Sequence, residues 1–177
     1  MNNTVIVVDL ETTGLYPENG DMILEIAAVP VEDKDIRTDL AFHELVNPEK
    51  RIPPEITEIN HITDEMVENE KPIREVLPDF IDYIQDYPLV AHNAPFDTGF
   101  LKYFSAKLGI TMRNNRLIDT IDLSKMLFRN ERRHNLDAVL KRLDISIDSN
   151  VRHNAQKDAY FTSLAYVKMR AMLNNRV

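Results

Sequence analysis

The chain has 177 residues, no cysteine and a formal net charge of −8 at pH 7, a length that suits one domain with a sizeable core. The lack of cysteine excludes a disulfide framework, and no apolar run approaches the roughly 20 residues that a membrane span needs. Met1-Asn2-Asn3 leads straight into an apolar strand pattern, so neither signal peptide nor anchor is expected and the cytoplasm is the default compartment.

The first predicted strand covers residues 4–10, where Val5-Ile6-Val7-Val8 runs into Asp9-Leu10-Glu11 and then a turn, Thr12-Thr13-Gly14-Leu15. Residues two apart on a strand point to the same face, so Asp9 and Glu11 converge on one point. A paired carboxylate of this kind suits Mg²⁺ or Mn²⁺, with positions left for water and substrate phosphate. Acids also end strands and start turns for local reasons, and this segment alone leaves both readings open. Strands at 22–31 and 38–47 follow, and the short links between the three predict an antiparallel meander.

After an irregular stretch rich in Ile and Pro, residues 72–85 read as a helix with Ile73, Val76, Leu77, Phe80, Ile81 and Ile84 on one stripe. A strand at 88–92 ends in His92-Asn93-Ala94-Pro95-Phe96-Asp97, which places Asp97 at the junction with a helix over 96–108. A short strand at 117–119 and helices at 121–128, 135–143 and 155–173 complete the chain. Asp119 reads as a cap for the helix that follows it. Arg129, Arg132 and Arg133 read as a solvated loop, because charge runs are usually exposed. His153 falls in the loop before the last helix and Asp158 inside its first turns, since positions five apart point in different directions around a helix. Alternation of strand and helix predicts parallel strands in this second half. There is no repeat, low-complexity segment or linker, so residues 1–177 are expected to form a single domain.

Asp9-x-Glu11, Asp97 within His-Asn-Ala-x-Phe-Asp, and His153-x4-Asp158, in this order and at these separations, resemble the three motifs of the DEDDh 3′–5′ exonucleases. That DnaQ-like group contains the proofreading ε subunit of bacterial DNA polymerase III. The resemblance runs from Thr4 to about Val167 and includes Ile52-Pro53-Pro54-Glu55-Ile56, His61-Ile62-Thr63 and His134-Asn135-Leu136. It implies an α/β, ribonuclease-H-like fold, a mixed five-stranded sheet flanked by helices. It implies two divalent cations, Mg²⁺ or Mn²⁺, held by Asp9, Glu11, Asp97 and Asp158, with Asp97 acting mainly through water and His153 as general base. Four clustered carboxylates would otherwise repel one another. It also implies a pocket for the terminal nucleotide in which Thr12, Thr13 and Gly14 meet sugar and phosphate. Leu15 and Phe96 press on the base, and Asn93 and His61 reach the sugar or phosphate. Core packing for Leu15 and Phe96, and a structural loop role for His61, are the plain alternatives.

The acidity runs against tight, non-specific duplex binding, for which phosphate contacts demand a basic face. Two divalent ions would add about four positive charges at the site itself, and an enzyme gripping a few terminal nucleotides needs no long basic groove. The implied substrates are 3′ ends of single-stranded or frayed DNA, with RNA 3′ ends as the second reading and a non-catalytic module of a polymerase or repair assembly as the third. The complete acid and histidine set disfavours that third reading. Only Asn174-Asn175-Arg176-Val177 follows the last helix, unlike the long partner-binding tail of the ε subunit, so a free-standing nuclease or an excised domain is expected.

Overall fold

The computed structural model describes residues 4–146 and 154–175. Its sheet is built around β1 (Thr4–Thr12), which pairs antiparallel with β2 (Ile23–Glu32) on one side and parallel with β5 (Leu89–Ala91) on the other. Beyond β2 lie β3 (Asp35–Ile36) and β4 (Phe42–Leu45), both antiparallel to it, and beyond β5 lies the parallel β6 (Leu117–Asp119). The sheet is thus mixed and ribonuclease-H-like, with six strands among the described residues rather than five. The expected strand over 38–47 is shorter, because its first residues form a 3-10 turn at Thr38–Leu40 and the strand β4 covers Phe42–Leu45 alone, while the two-residue β3 lies before the turn. Opposite the break stands Pro30, which has no N–H to give the ladder; its carbonyl instead accepts from the Arg37 N–H at 2.9 Å.

Seven α-helices surround the sheet among the described residues: α1 (Pro54–Asn60), α2 (Asp64–Val67), α3 (Ile73–Ile84), α4 (Ala94–Leu108), α5 (Thr120–Leu127), α6 (Leu136–Arg142) and α7 (Ala155–Asn174). The first two occupy the stretch expected to be irregular. At seven and four residues they are too short to display a 3.6-residue stripe. In α3 all six stripe residues are buried, although Pro78 lies inside the helix.

Strand alternation decides which helix each side chain meets. Ile6, Val8 and Leu10 pack with Val76, Phe80, Phe100 and Phe104 of α3 and α4. Val5 and Val7 face the other way and pack with Tyr166 of α7. The next odd-numbered residues are Asp9 and Glu11, so the period of two sends them to the α7 side. On β2 the same side carries Ala27 and Val29, which meet Ala155 and Ala159. These small residues allow the start of α7 to lie close on the sheet. No helix among the described residues is long and apolar enough to cross a membrane.

Candidate active site

Asp9, Glu11 and Asp158 converge where β1 leaves the core beneath the first turns of α7. One oxygen from each lies within 4.8 Å of the others, a donor set able to hold a metal ion. Unit charges at such a spacing repel by about 3 kcal/mol per pair at an effective dielectric of about 20. Asp9 and Glu11 are partly buried and Asp158 is buried, so water screens them incompletely, and hard oxygen donors in this state suit a divalent cation.

Asp97 stands apart from that trio. It is buried in the first turn of α4, the helix that covers the other face of β1 from α7, and one of its oxygens accepts from the Leu10 N–H at 3.1 Å. Burial pushes its carboxyl well above the usual range, and the charges of Glu11 and Asp119 push in the same direction against the hydrogen bonds it accepts. His153 lies outside the described residues. The next residue, Asn154, caps α7 by accepting from the Lys157 N–H at 3.1 Å.

Of two grooves near these elements, one reaches the carboxylates. One of about 400 Å³ is lined by Asp9, Asp158, Asn93, His92, Ile121 and the start of α6. The other, about 300 Å³, runs between Leu15-Tyr16 and the outer side of α4, with Phe96, Gly99 and Tyr103 on its wall. Leu15 is 64% and Tyr16 55% exposed, so these two side chains are open to a ligand rather than packed in the core. Phe96 is partly buried and leans on Phe100, with ring centroids 5.2 Å apart.

The turn after β1 is held mainly by its own bonds. Thr12 donates its hydroxyl to the Gly14 carbonyl at 2.6 Å, the Thr13 N–H donates to the Met22 carbonyl at 2.8 Å, and the Thr13 hydroxyl accepts from Met22 at 2.9 Å. Thr13 therefore shapes the turn. A Cβ on Gly14 would collide with the Asp21 carboxylate, which accepts from the Tyr16 N–H at 2.9 Å. The glycine is needed for that internal approach. His61 closes α1 in a left-handed conformation (φ 62°) and lines neither groove.

Asp119 caps α5 by accepting from the Ile121 N–H at 2.8 Å, and also accepts from the N–H groups of Asn93 and Ala94 at 3.2 Å each. Arg129, Arg132 and Arg133 are exposed. Their loop is tied down by His134, whose ring nitrogens lie 2.9 Å from the Ser124 hydroxyl and 3.0 Å from the Glu131 carbonyl. Sequence reasoning missed the groove residues Tyr16 and Tyr103. Tyr16 is exposed in a turn and Tyr103 half-buried on α4, and only their neighbourhood to Leu15 and Phe96 marks them.

The family profile described as Exonuclease, of the RNase T type, matches residues 6–166. The chain belongs to the exonuclease family. This exonuclease domain is 38% identical over 98% of its length to a DNA polymerase III subunit epsilon-like protein of Rhodobacter capsulatus, covering 24% of that protein. It is 35% identical over 93% of its length to the 3′-5′ exonuclease DinG of Bacillus subtilis, covering 17% of it, and 39% identical over 89% to a PolC-type DNA polymerase III of Clostridium perfringens, covering 10%. It thus spans a quarter or less of these relatives. Among solved structures it resembles exonuclease X in complex with 5′ overhanging duplex DNA, with a TM-score of 0.74, 26% identity, and 95% and 92% of the two chains covered. The fold is also that of the nuclease domain of 3′hExo, a DEDDh family member bound to rAMP, with a TM-score of 0.79 at 17% identity, covering 98% and 93%. The exonuclease domain is of the DEDDh, DnaQ-like 3′–5′ type, as its motifs imply.

Proposed function

We propose that this domain is a metal-dependent 3′–5′ exonuclease that removes nucleotides from single-stranded or frayed DNA ends and releases nucleoside 5′-monophosphates. The observation that carries the reading is the convergence of Asp9, Glu11 and Asp158 within 4.8 Å. Two divalent cations, Mg²⁺ or Mn²⁺, held there with Asp97 contributing through water, would stabilise charge on the attacking and leaving oxygens of a phosphodiester.

The chain's own residues do the rest. His153, by its place in the family motif, takes the proton of the attacking water, for which an ordinary histidine pKa near 6.5 is suited. Leu15, Phe96 and the neighbouring Tyr16 offer apolar surface on which any base can stack. The backbone of Thr12, Thr13 and Gly14, together with Asn93 and His61, is assigned to sugar or phosphate on the family pattern, and of these Asn93 lines the groove beside Asp9 and Asp158. Affinity for DNA is favoured by the likeness to exonuclease X, which was solved with a DNA duplex. The relatives named for DNA polymerase III support a role beside a polymerase or another nucleic-acid-processing complex. Residues 1–177 act in this reading as one domain in the cytoplasm.

The test is a time course on 5′-labelled single-stranded DNA and RNA of equal sequence, with Mg²⁺, Mn²⁺ or chelator. A cation-dependent ladder shortening from the 3′ end, faster on DNA, is expected. A faster ladder on RNA would move the substrate assignment, and no shortening with either metal would refute the enzyme reading.

A further inference from the structure

Glu25 is a fully buried carboxylate in the middle of the apolar run of β2, and the chemistry proposed above does not use it. Removing such a charge from water is expensive unless donors surround it, and here three do. One oxygen accepts from the backbone N–H of Ala155 at 2.9 Å. The other accepts from the Asn154 side-chain amide at 2.9 Å and lies 2.6 Å from Nε2 of His43 on β4. The His43 pKa is raised, chiefly by its hydrogen bond to Glu25 and against the effect of burial, which favours a charged histidine in the pair.

Both residues that Glu25 grips at the start of α7 lie one turn before Asp158, whose N–H donates to the Asn154 carbonyl at 2.9 Å. Asn154 also follows His153 directly in the sequence. We infer that Glu25, backed by His43, is a positioning pair that fixes the first turn of α7 on the sheet and thereby sets Asp158 against Asp9 and Glu11. The inference rests on reading that trio as the cation site of an exonuclease. The pair touches neither substrate nor reacting atoms; it acts through the helix.

The test compares Glu25→Gln, His43→Leu and His43→Gln with the unchanged protein in three measurements: thermal unfolding, Mn²⁺ titration followed by the EPR signal of free Mn²⁺, and steady-state cleavage of single-stranded DNA. Residues that orient metal ligands from behind typically change affinity or activity 10–100-fold. Glu25→Gln and His43→Leu should therefore remain folded at assay temperature, lose about 10–100-fold in kcat and in Mn²⁺ affinity, and keep KM for DNA within about threefold. His43→Gln, which retains a donor toward Glu25, should recover most of the loss. Unchanged Mn²⁺ affinity and kcat in both disruptive variants, or losses that only follow the folded fraction, would overturn the inference. If Glu25→Gln does not fold, the two His43 variants decide by the same criteria. If the unchanged protein binds Mn²⁺ but cuts no nucleic acid, the exonuclease reading fails while the Mn²⁺ titrations still decide the positioning role.

Discussion

Asp97 and Asp158 start from the same local sequence and reach different environments. Asn93-Ala94-Pro95-Phe96-Asp97 and Asn154-Ala155-Gln156-Lys157-Asp158 share the pattern Asn-Ala-x-x-Asp, each with the asparagine at the cap and the acid in the first turn of a helix. In both, a carboxylate from the sheet accepts from the first helical N–H, Asp119 for Ala94 and Glu25 for Ala155. Yet Asp158 joins Asp9 and Glu11, while Asp97 turns to the Leu10 N–H. The caps differ, since Asn93 is left-handed at φ 70° with no side-chain cap bond whereas Asn154 is extended at φ −138° and accepts from Lys157. The larger difference is the side of β1 that each helix covers. A helix start can deliver a carboxylate, but the alternation of the strand decides which carboxylates meet.

Removing a member of the trio should have the largest effect. Asp158→Ala or Asp9→Ala should lower turnover by about four decades, the loss of about 5 kcal/mol of charge stabilisation, with the fold intact or more stable in chelator because a repelling charge is gone. Retention of a tenth of the activity in a single-turnover assay would separate the trio from the chemistry. His153→Ala should lower the rate by about 10² to 10⁴ and remove the pH dependence near neutrality. An unchanged pH–rate profile would assign the proton transfer elsewhere.

Asp97→Asn should cost less, about 10–100-fold as for a group acting through water or another ligand. It should also stabilise the metal-free protein at neutral pH. Because the folded pKa of Asp97 is raised, between the ordinary value near 3.9 and that raised value the folded state holds more protons than the unfolded chain, so stability falls as pH rises through this window. The asparagine removes that fall, and unfolding midpoints in chelator across the acid-to-neutral range measure it. Asp119→Ala should have the smallest effect on chemistry and appear mainly in stability, lowering it by about 1–3 kcal/mol through the lost caps of α4 and α5. A denaturant midpoint unchanged by Asp119→Ala would show that those helix starts hold without it.

The strand-borne half of the site was legible because its rule is local: a β-branched run and a spacing of two are enough to put Asp9 and Glu11 together. The caps were legible for the same reason, with Asp119 accepting from Ile121 as its position foretold. The hydrogen bond that ties Asp97 to Leu10 was not legible, because its two partners lie 87 residues apart along the chain. The role of Glu25 was hidden by distance along the chain, as its partners are 129 and 130 residues away. Its signal was an acid within Ile23-Leu24-Glu25-Ile26-Ala27, a place where a lone charge needs an explanation. The late start of the third strand was foreshadowed by Pro30, which sits in the neighbouring strand and so escapes a reading of 38–47 alone.

Mn²⁺ titration of the unchanged protein, Asp158→Ala and Asp97→Asn would show whether the trio holds the cation. Asp158→Ala should abolish tight binding while Asp97→Asn keeps it to within about a hundredfold. Equal binding by Asp158→Ala and the unchanged protein, or complete loss in Asp97→Asn alone, would contradict it.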